Sequence, residues 1–231
     1  MLFRSLAPEL ARLMAPLRTQ LARILKPGET AELHATATDS GTDLALKWKR
    51  HRSPDLLMAL SQMTSALRLA RLAWNGETQA VAVAPSLRFG KFSVALPIES
   101  FLQPTREGER ILQDLVREGV GDVRRICDLF AGCGTFALAL AEGRVIHAAD
   151  NTAPQIEALL AAARTGQAKV TAETRDLYRR PLLPAELNRF DAVVLDPPRP
   201  GAKAQAEALA QSAVSRIAYV SCNRSEEHTS E

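Results

Sequence analysis

The sequence is short of cysteine, aromatic residues and long apolar runs, and each shortage excludes a class of protein. Three cysteines, Cys127, Cys133 and Cys222, are too few and too irregularly spaced among 231 residues for a disulfide framework or a zinc site. The leucines between Leu6 and Leu25 recur at helical spacing with arginines among them, unlike a signal peptide or a membrane span. We therefore expect a reduced, cytoplasmic protein that holds no metal and does not associate with a membrane.

The composition is that of a folded protein with a slight excess of positive charge. A hydrophobic content of 46% argues against general disorder, and the length suffices for one large or two smaller domains. The net charge of +3 is compatible with an RNA partner but is weak evidence for one. The densest basic run, KWKRHR at 47–52, favours the exposed end of a hairpin strand over a phosphate contact. We expect a monomer.

The pattern of residues 1–100 predicts a smaller α/β region, which we expect to help bind RNA. After a first helix, AELHATAT and DLALKWKR alternate apolar and polar residues around a turn at 39–41, which is typical of a hairpin. Ser53 and Pro54 suit the cap and first position of a helix that continues to about Leu67. The segments LARLAW, QAVAVAP and KFSVALP predict further strands.

Residues 101–223 predict a doubly wound, Rossmann-like parallel sheet, because strands and helices alternate along this part of the chain. Strands are expected at RRICDLF, RVIHAAD, AKVTAET, FDAVVLD and RIAYVSC, the last as a buried strand that delivers Cys222 to its end. Helices are expected at 107–118, from the glycine turn to about Glu142, and at APQIEALLAAART and AKAQAEALAQSA.

The segment CDLFAGCGTFALAL is typical of a turn that binds a nucleotide-like cofactor. Gly132, Gly134 and Ala137 fit the pattern G-x-G-x-x-A between a strand and a helix whose first N–H groups are unpaired. Asp150 closes the next strand, where a carboxylate can accept both hydroxyls of a ribose, and Asp176 could meet an adenine edge. An adenosine-type cofactor is favoured, but the motif does not choose between NAD and S-adenosylmethionine.

Two further elements favour methyl transfer to a base. The segment DPPRPG, from Asp196 to Gly201, forms a stiff lip with free carbonyls at a strand end, as in enzymes that hold a planar base beside S-adenosylmethionine. Such enzymes usually place an aromatic residue next when they methylate amino groups, whereas this chain has Arg199.

Cys222 ends a later strand on the same edge, where a thiolate could add to carbon 6 of uracil and make carbon 5 nucleophilic. Cys127, inside a core strand, and Cys133, inside the turn, are weaker candidates.

The segments SFLQPTREGE, DLFAGCGTFALAL, DPPRPG and YVSCN, in this order, resemble the class I RNA methyltransferases that make 5-methyluridine in tRNA and 23S rRNA. The resemblance extends from Phe101 to Asn223, with FGKFSVALP fitting upstream. It implies that Cys222 is the nucleophile and that the cofactor is S-adenosylmethionine. The cofactor-binding residues that it implies are Gln103, Phe130, Gly132, Gly134, Thr135, Asp150, Asp176 and Asp196.

The chain departs from this family in three respects. It has neither the small β-barrel RNA-binding domain nor the four-cysteine motif found in many members, so no iron–sulfur cluster is expected. Arg224 stands where the family has proline, ahead of a segment that carries a glutamate general base. Residues 224–231, RSEEHTSE, can be encoded by a common sequencing-library adapter, and we expect them to be a non-native tail on a truncated chain.

Two alternatives stay open at the level of the sequence. An NAD-type oxidoreductase would explain the glycine turn alone. The other alternative is a truncated, inactive fragment. Without the general base the carbon 5 proton would be removed poorly, but the fragment could still bind S-adenosylmethionine or RNA.

Overall fold

The computed structural model describes residues 7–221, which form two compact units. The first comprises 7–87 with 95–99, and the second comprises 88–94 with 100–221. The boundaries near 87 and 95 fall within one β-hairpin. The separate roles expected for residues 1–100 and 101–223 stay predictions, and the expected tail at 224–231 lies outside the described residues.

The first unit is built on a four-stranded mixed sheet. Its elements are α1 (Pro8–Ile24), β1 (Glu32–Thr38), β2 (Gly41–Lys47), α2 (Pro54–Ala66), β3 (Leu69–Trp74) and β4 (Glu77–Val81). The strand order is β1-β2-β3-β4, with β2 and β3 parallel and the two outer pairs antiparallel. The hairpin of β5 (Ser86–Phe89) and β6 (Phe92–Ala95) follows.

Local sequence explains these elements well. The predicted hairpin at 32–47 is confirmed, and so is the helix beginning at Pro54, where the Ser53 hydroxyl accepts the Leu56 N–H at 3.3 Å. The helical spacing of leucines in α1 buries Leu13, Leu17 and Leu21 against the sheet.

The basic run at 47–52 leads out of β2, as predicted, but its tryptophan is buried. Trp48 is 4% exposed and lies beneath the Arg50 guanidinium, which is 4.7 Å from the indole centroid. Arg50 and Arg52 pair with Glu29 and Glu77 at 3.1 and 2.6 Å. Because both arginines form ion pairs with acidic side chains, the structure favours the end of a hairpin strand over a phosphate contact for this run.

The second unit contains a five-stranded parallel sheet. Its elements are α3 (Arg106–Val120), β7 (Arg125–Leu129), α4 (Thr135–Ala139), β8 (Val145–Asp150), α5 (Ala153–Thr165), β9 (Lys169–Thr174), α6 (Pro184–Leu187), β10 (Ala192–Leu195), α7 (Lys203–Ala210) and β11 (Arg216–Tyr219). The strand order is β11-β10-β7-β8-β9, and every pair is parallel.

This order confirms the predicted doubly wound sheet. The chain proceeds outward from β7 to β9 and then returns to place β10 on the other side of β7. The direction of winding therefore reverses between β7 and β10. In open parallel sheets such a switch point forms a crevice at the carboxyl ends of the strands, where ligands bind.

The helix after the glycine turn and strand β11 are among the predicted elements that differ from the structure. The helix after the glycine turn ends at Ala139 rather than near Glu142, because a turn closes around Gly143, whose φ is +71°. Strand β11 is not buried, since Ile217 and Tyr219 are 49% and 44% exposed. Within the described residues β11 pairs with β10 alone, at one end of the strand order.

Candidate cofactor site

The candidate site lies at the carboxyl edge of the parallel sheet, where four neighbouring strands end. Residues 130–135 follow β7, Asp150 ends β8, Asp176 follows β9 and Asp196 follows β10. Because all of these strands are parallel, their carboxyl ends meet at one edge. The fold thus brings residues that are far apart in sequence to the same side of the sheet.

The glycine turn after β7 needs glycine at two positions because of backbone conformation, and at the second position also because of close packing. Gly132 has a φ of +54° and Gly134 a φ of +93°, a region that side chains disfavour. A Cβ at Gly134 would lie 2.9 Å from Leu159 Cγ, so this residue also permits close packing of the turn on α5. A Cβ at Gly132 would meet only Gln155 Oε1, at 3.4 Å. Phe130 has a φ of +62°, and such strain in a bulky residue concentrates at functional sites.

Asp150 ties this turn to β8. Its Oδ2 accepts the Gly132 N–H at 3.0 Å, and its Oδ1 accepts the Thr152 N–H at 2.8 Å. Each carboxylate oxygen has two lone pairs, so one acceptor position per oxygen is left for a ligand hydroxyl. Asp150 is 8% exposed, which fixes the direction from which such a ligand could approach.

Asp128, which the sequence analysis did not single out as a site residue, is the most unusual group at this edge. It is fully buried at the end of β7, and its Oδ2 accepts the Ala137 N–H at 2.7 Å. This bond occupies one of the helix N–H groups that the sequence analysis expected to be unpaired. Its Oδ1 is buried and has no hydrogen-bond partner among the described residues. Burial raises the pKa of Asp128 to about 8, with further contributions from Asp196 and Asp150.

Asp196 and Gln103 meet at the switch point. Gln103 Nε2 lies 3.4 Å from Asp196 Oδ2, which brings the segment ahead of α3 to the end of β10. The Asp196 N–H donates to the Leu129 carbonyl at 3.3 Å, which links β10 to the glycine turn. Burial raises the pKa of Asp196 to about 6.

The three carboxyl groups of Asp128, Asp150 and Asp196 have no positive partner in the described part of the chain. No lysine, arginine or histidine side chain between residues 7 and 221 forms an ion pair with any of these three carboxyl groups. Ligands that carry positive charge would relieve the electrostatic cost of ionising these groups, whereas a phosphate would increase it.

Asp176 is positioned by its own loop. Its Oδ1 accepts the N–H groups of Tyr178 and Arg179 at 3.0 and 3.2 Å. The ring of Tyr178 contacts that of Phe130, with centroids 5.5 Å apart. Tyr178 was not predicted as a site residue, although an aromatic residue two positions after a strand-end aspartate was a usable signal.

Arg175 holds this loop in place. Its guanidinium donates to both carboxylate oxygens of Glu186, at 2.8 and 2.9 Å, and to the carbonyls of Arg180 and Pro181. This pairing lowers the pKa of Glu186 to about 2.

The remaining predicted residues are Thr135 and the three cysteines. Thr135 begins α4, and its carbonyl accepts Gln113 Nε2 at 3.1 Å. Cys127 and Cys133 are buried, and burial raises the pKa of both thiols, as expected for residues that are not nucleophiles. Cys222 lies outside the described residues.

Among residues 7–221 no group of three or more histidine, cysteine or acidic side chains is arranged to hold a metal ion. No helix in this range is long and apolar enough to cross a membrane.

Comparison with known proteins connects the chain to RNA methyltransferases. It is 39% identical over 219 residues to a Rhizobium meliloti protein named an uncharacterized RNA methyltransferase, covering 94% of this chain and 53% of the relative. It is 31% identical over 236 residues to the 23S rRNA (uracil(1939)-C(5))-methyltransferase of Chromohalobacter salexigens, covering 94% of this chain and 48% of that protein. The chain spans about half the length of the curated relatives it matches. No protein-family model matches it.

A solved structure supports the fold. The Pyrococcus abyssi tRNA (uracil-54, C5)-methyltransferase in complex with S-adenosyl-L-homocysteine matches with a TM-score of 0.70 and 19% identity, covering 90% of this chain and 57% of that one. The predicted α/β methyltransferase fold is therefore confirmed.

Proposed function

We propose that the chain transfers a methyl group from S-adenosylmethionine to carbon 5 of a uridine in RNA, because it is 39% and 31% identical to two RNA methyltransferases over the half of their length that it spans. The relatives support RNA methylation as the reaction, and the 23S rRNA enzyme among them supports uridine carbon 5 as the acceptor. We assign the acceptor as a uridine in either rRNA or tRNA.

The observation that carries this proposal is the group of three unpaired carboxyl groups around the glycine turn. S-Adenosylmethionine carries a sulfonium and an ammonium, so it suits a site that holds Asp128, Asp150 and Asp196 without a positive partner. NAD carries a pyrophosphate, which the same carboxyl groups would repel. The acidic edge therefore favours methyl transfer over the oxidoreductase alternative.

Two further features of this edge are compatible with a bound cofactor. Gly132 and Gly134 leave the turn without side chains, and the buried Asp128 Oδ1 has an unused acceptor position. We assign cofactor binding to Gln103, Phe130, Gly132, Gly134, Thr135, Asp150, Asp176 and Asp196, with Asp150 directed at the ribose hydroxyls. When bound, S-adenosylmethionine would supply an electrophilic methyl group.

Cys222 is proposed as the nucleophile. Its thiolate adds to carbon 6 of the uracil ring, which moves the double-bond electrons to carbon 5 and its neighbouring carbonyl and makes carbon 5 able to take the methyl group. Loss of the carbon 5 proton to a base then allows the thiolate to leave and restores the ring. The base is not assigned among the described residues. The uridine must lie in a loop or single strand, since stacking in a duplex would hide both ring carbons.

Covalent trapping tests this proposal. RNA that contains 5-fluorouridine cannot lose a proton from carbon 5, so incubation with S-adenosylmethionine should produce a protein–RNA adduct that survives denaturing electrophoresis. The adduct should disappear in Cys222→Ala and persist in Cys127→Ala, the matched cysteine control. An adduct that persists in Cys222→Ala would refute the assignment of the nucleophile.

A further inference from the structure

A second group of charged residues lies at the opposite, amino-terminal edge of the parallel sheet. Strand register pairs Arg125 of β7 with Val145 of β8, and Val145 with Lys169 of β9. Arg124 and Arg144 immediately precede two of these residues. Because neighbouring strands are about 4.8 Å apart, the basic side chains at these strand starts lie side by side across the edge.

A turn from the β5–β6 hairpin completes a recess at this edge. Lys91 and Phe92 line it together with Arg124, Arg144, Lys169 and Glu142, and its volume is about 330 Å³. We call this recess, defined by these six residues, the basic groove.

The charge of the basic groove is strongly one-sided. Four of its residues are cationic and Glu142 is acidic, which gives it a net positive charge. Lys91 and Glu142 are 3.5 Å apart, but both side chains are largely exposed, so their attraction is weak. Neither Arg124 nor Lys169 forms an ion pair or side-chain hydrogen bond within the described residues.

The floor of the groove is rigid. The Phe92 ring is buried and lies so close to Gly166 that a Cβ there would be 2.3 Å from Phe92 Cδ1. Arg144 Nη2 donates to the Gly121 carbonyl at 3.0 Å, which orients this guanidinium. Lys91 Nζ lies 5.6 Å from the Phe92 ring centroid. The packing of Phe92 and the hydrogen bond of Arg144 therefore hold this part of the groove in place.

We propose that the basic groove binds the phosphate backbone of the RNA substrate; this rests on the proposed function, since it assumes an RNA partner. The cations extend across three strands, a spread of about 10 Å that suits consecutive phosphates better than one phosphate ion. The carboxyl edge, where the uridine must receive the methyl group, does not attract phosphates, because its own charged groups are carboxylates. Phe92 is buried and offers no face for a base, so the groove contacts the backbone without regard to sequence.

Salt-dependent RNA binding tests the groove directly. The probe is fluorescein-labelled oligouridylate, and its affinity for the full chain is measured by fluorescence anisotropy between 50 mM and 200 mM KCl. Arg124→Gln with Lys169→Gln should weaken binding about tenfold and reduce the slope of log affinity against log salt by about 1.4, or roughly 0.7 for each phosphate contact. The matched control is Arg110→Gln with Lys203→Gln, which removes the same charges from exposed positions on α3 and α7.

The outcomes separate the groove from the proposed function. A loss in the groove variant but not in the control supports the proposal, provided that calorimetry shows unchanged S-adenosylmethionine binding. Equal losses in both variants, or no loss in either, overturn the groove while leaving an RNA partner in place. If the wild-type chain does not bind the probe, both the groove and the RNA partner are overturned. Displacement of the probe by inorganic phosphate at constant ionic strength would identify a site for a single phosphate and overturn the proposal.

Discussion

The two ends of the parallel sheet differ in sign of charge although the same strands supply both. At the carboxyl ends, Asp128, Asp150 and Asp196 lie buried or half-buried without positive partners. At the amino ends, Arg124 and Lys169 are exposed without acidic partners among the described residues. This difference suggests a division of labour in which one edge receives a cationic cofactor and the other receives phosphates.

The difference in burial is as informative as the difference in charge. Buried carboxyl groups are costly to ionise. The presence of three of them at one edge therefore indicates a ligand that stabilises their charge. Exposed arginine and lysine side chains cost little and act through long-range attraction, which salt screens. The cofactor edge should therefore respond to single substitutions and to pH, and the basic groove should respond to ionic strength.

The largest expected effect comes from filling the glycine turn. Gly134→Val would place side-chain atoms against Leu159 at a backbone φ of +93°, so the free energy of unfolding should fall by about 2–5 kcal/mol and S-adenosylmethionine binding should be lost. Gly143→Ala is the control, because its φ is +71° but its Cβ would meet no atom within 4 Å. We expect it to cost about 1–2 kcal/mol and to leave cofactor binding intact. Urea denaturation and calorimetry check both; equal losses would contradict the role of close packing at the turn.

The next effect concerns the loop that carries Asp176 and Tyr178. Arg175→Ala leaves Glu186 and two loop carbonyls without their donor and should lower the free energy of unfolding by about 2 kcal/mol. Arg179→Ala, whose side chain is 88% exposed, should change it by less than about 0.5 kcal/mol. Thermal denaturation distinguishes the two, and similar values would show that the Arg175 network does not hold the loop.

A smaller effect tests the charge of the carboxyl edge. Asp196→Asn keeps the size of the side chain but removes its charge, so affinity for S-adenosylmethionine should fall about tenfold, or about 1.4 kcal/mol. Asp122→Asn removes an exposed acidic group just ahead of β7 and should have no effect on this affinity. Neither change should weaken oligouridylate binding. An Asp196→Asn variant that lost RNA affinity but kept cofactor affinity would break the proposed division between the edges.

The smallest effect is a pH dependence of cofactor binding. Cationic ligands favour ionised carboxyl groups, so affinity should rise several-fold as the pH increases through the pKa of Asp196, about 6, and that of Asp128, about 8. Stability changes in the opposite sense. The pKa of Asp128 in the folded chain lies above the 3.8 of an ordinary aspartate, so the free energy of unfolding should fall as the pH rises from about 4 to 8. Asp128→Asn should flatten the part of both profiles above about pH 6, as followed by calorimetry and urea denaturation, and should leave the part due to Asp196. Unchanged profiles in this variant would assign the pH response to another group.

Sequence patterns predicted the parallel sheet because apolar strands and amphipathic helices alternate clearly after residue 100. They did not locate the end of α4, since residues 136–141 are mostly small or apolar and contain no stop signal before Gly143. They also did not show that β11 is half exposed, because an apolar strand sequence does not reveal how many neighbours the strand has.

Several features of the site could not be predicted from the sequence either. Asp150 was predicted from its distance to the glycine turn, but the two backbone N–H groups that hold it depend on the closeness of β7 and β8. The isolation of Asp128 depends on burial, which no motif records. The basic groove joins residues that are far apart along the chain, and only strand register brings them together.

Calorimetric titration of the chain with S-adenosylmethionine, and in parallel with NADH, shows directly which cofactor the carboxyl edge binds. We expect one S-adenosylmethionine to bind per chain, with an affinity that falls in Asp196→Asn, and no heat of binding from NADH. Absence of S-adenosylmethionine binding by a folded chain, or tighter binding of NADH, would contradict it.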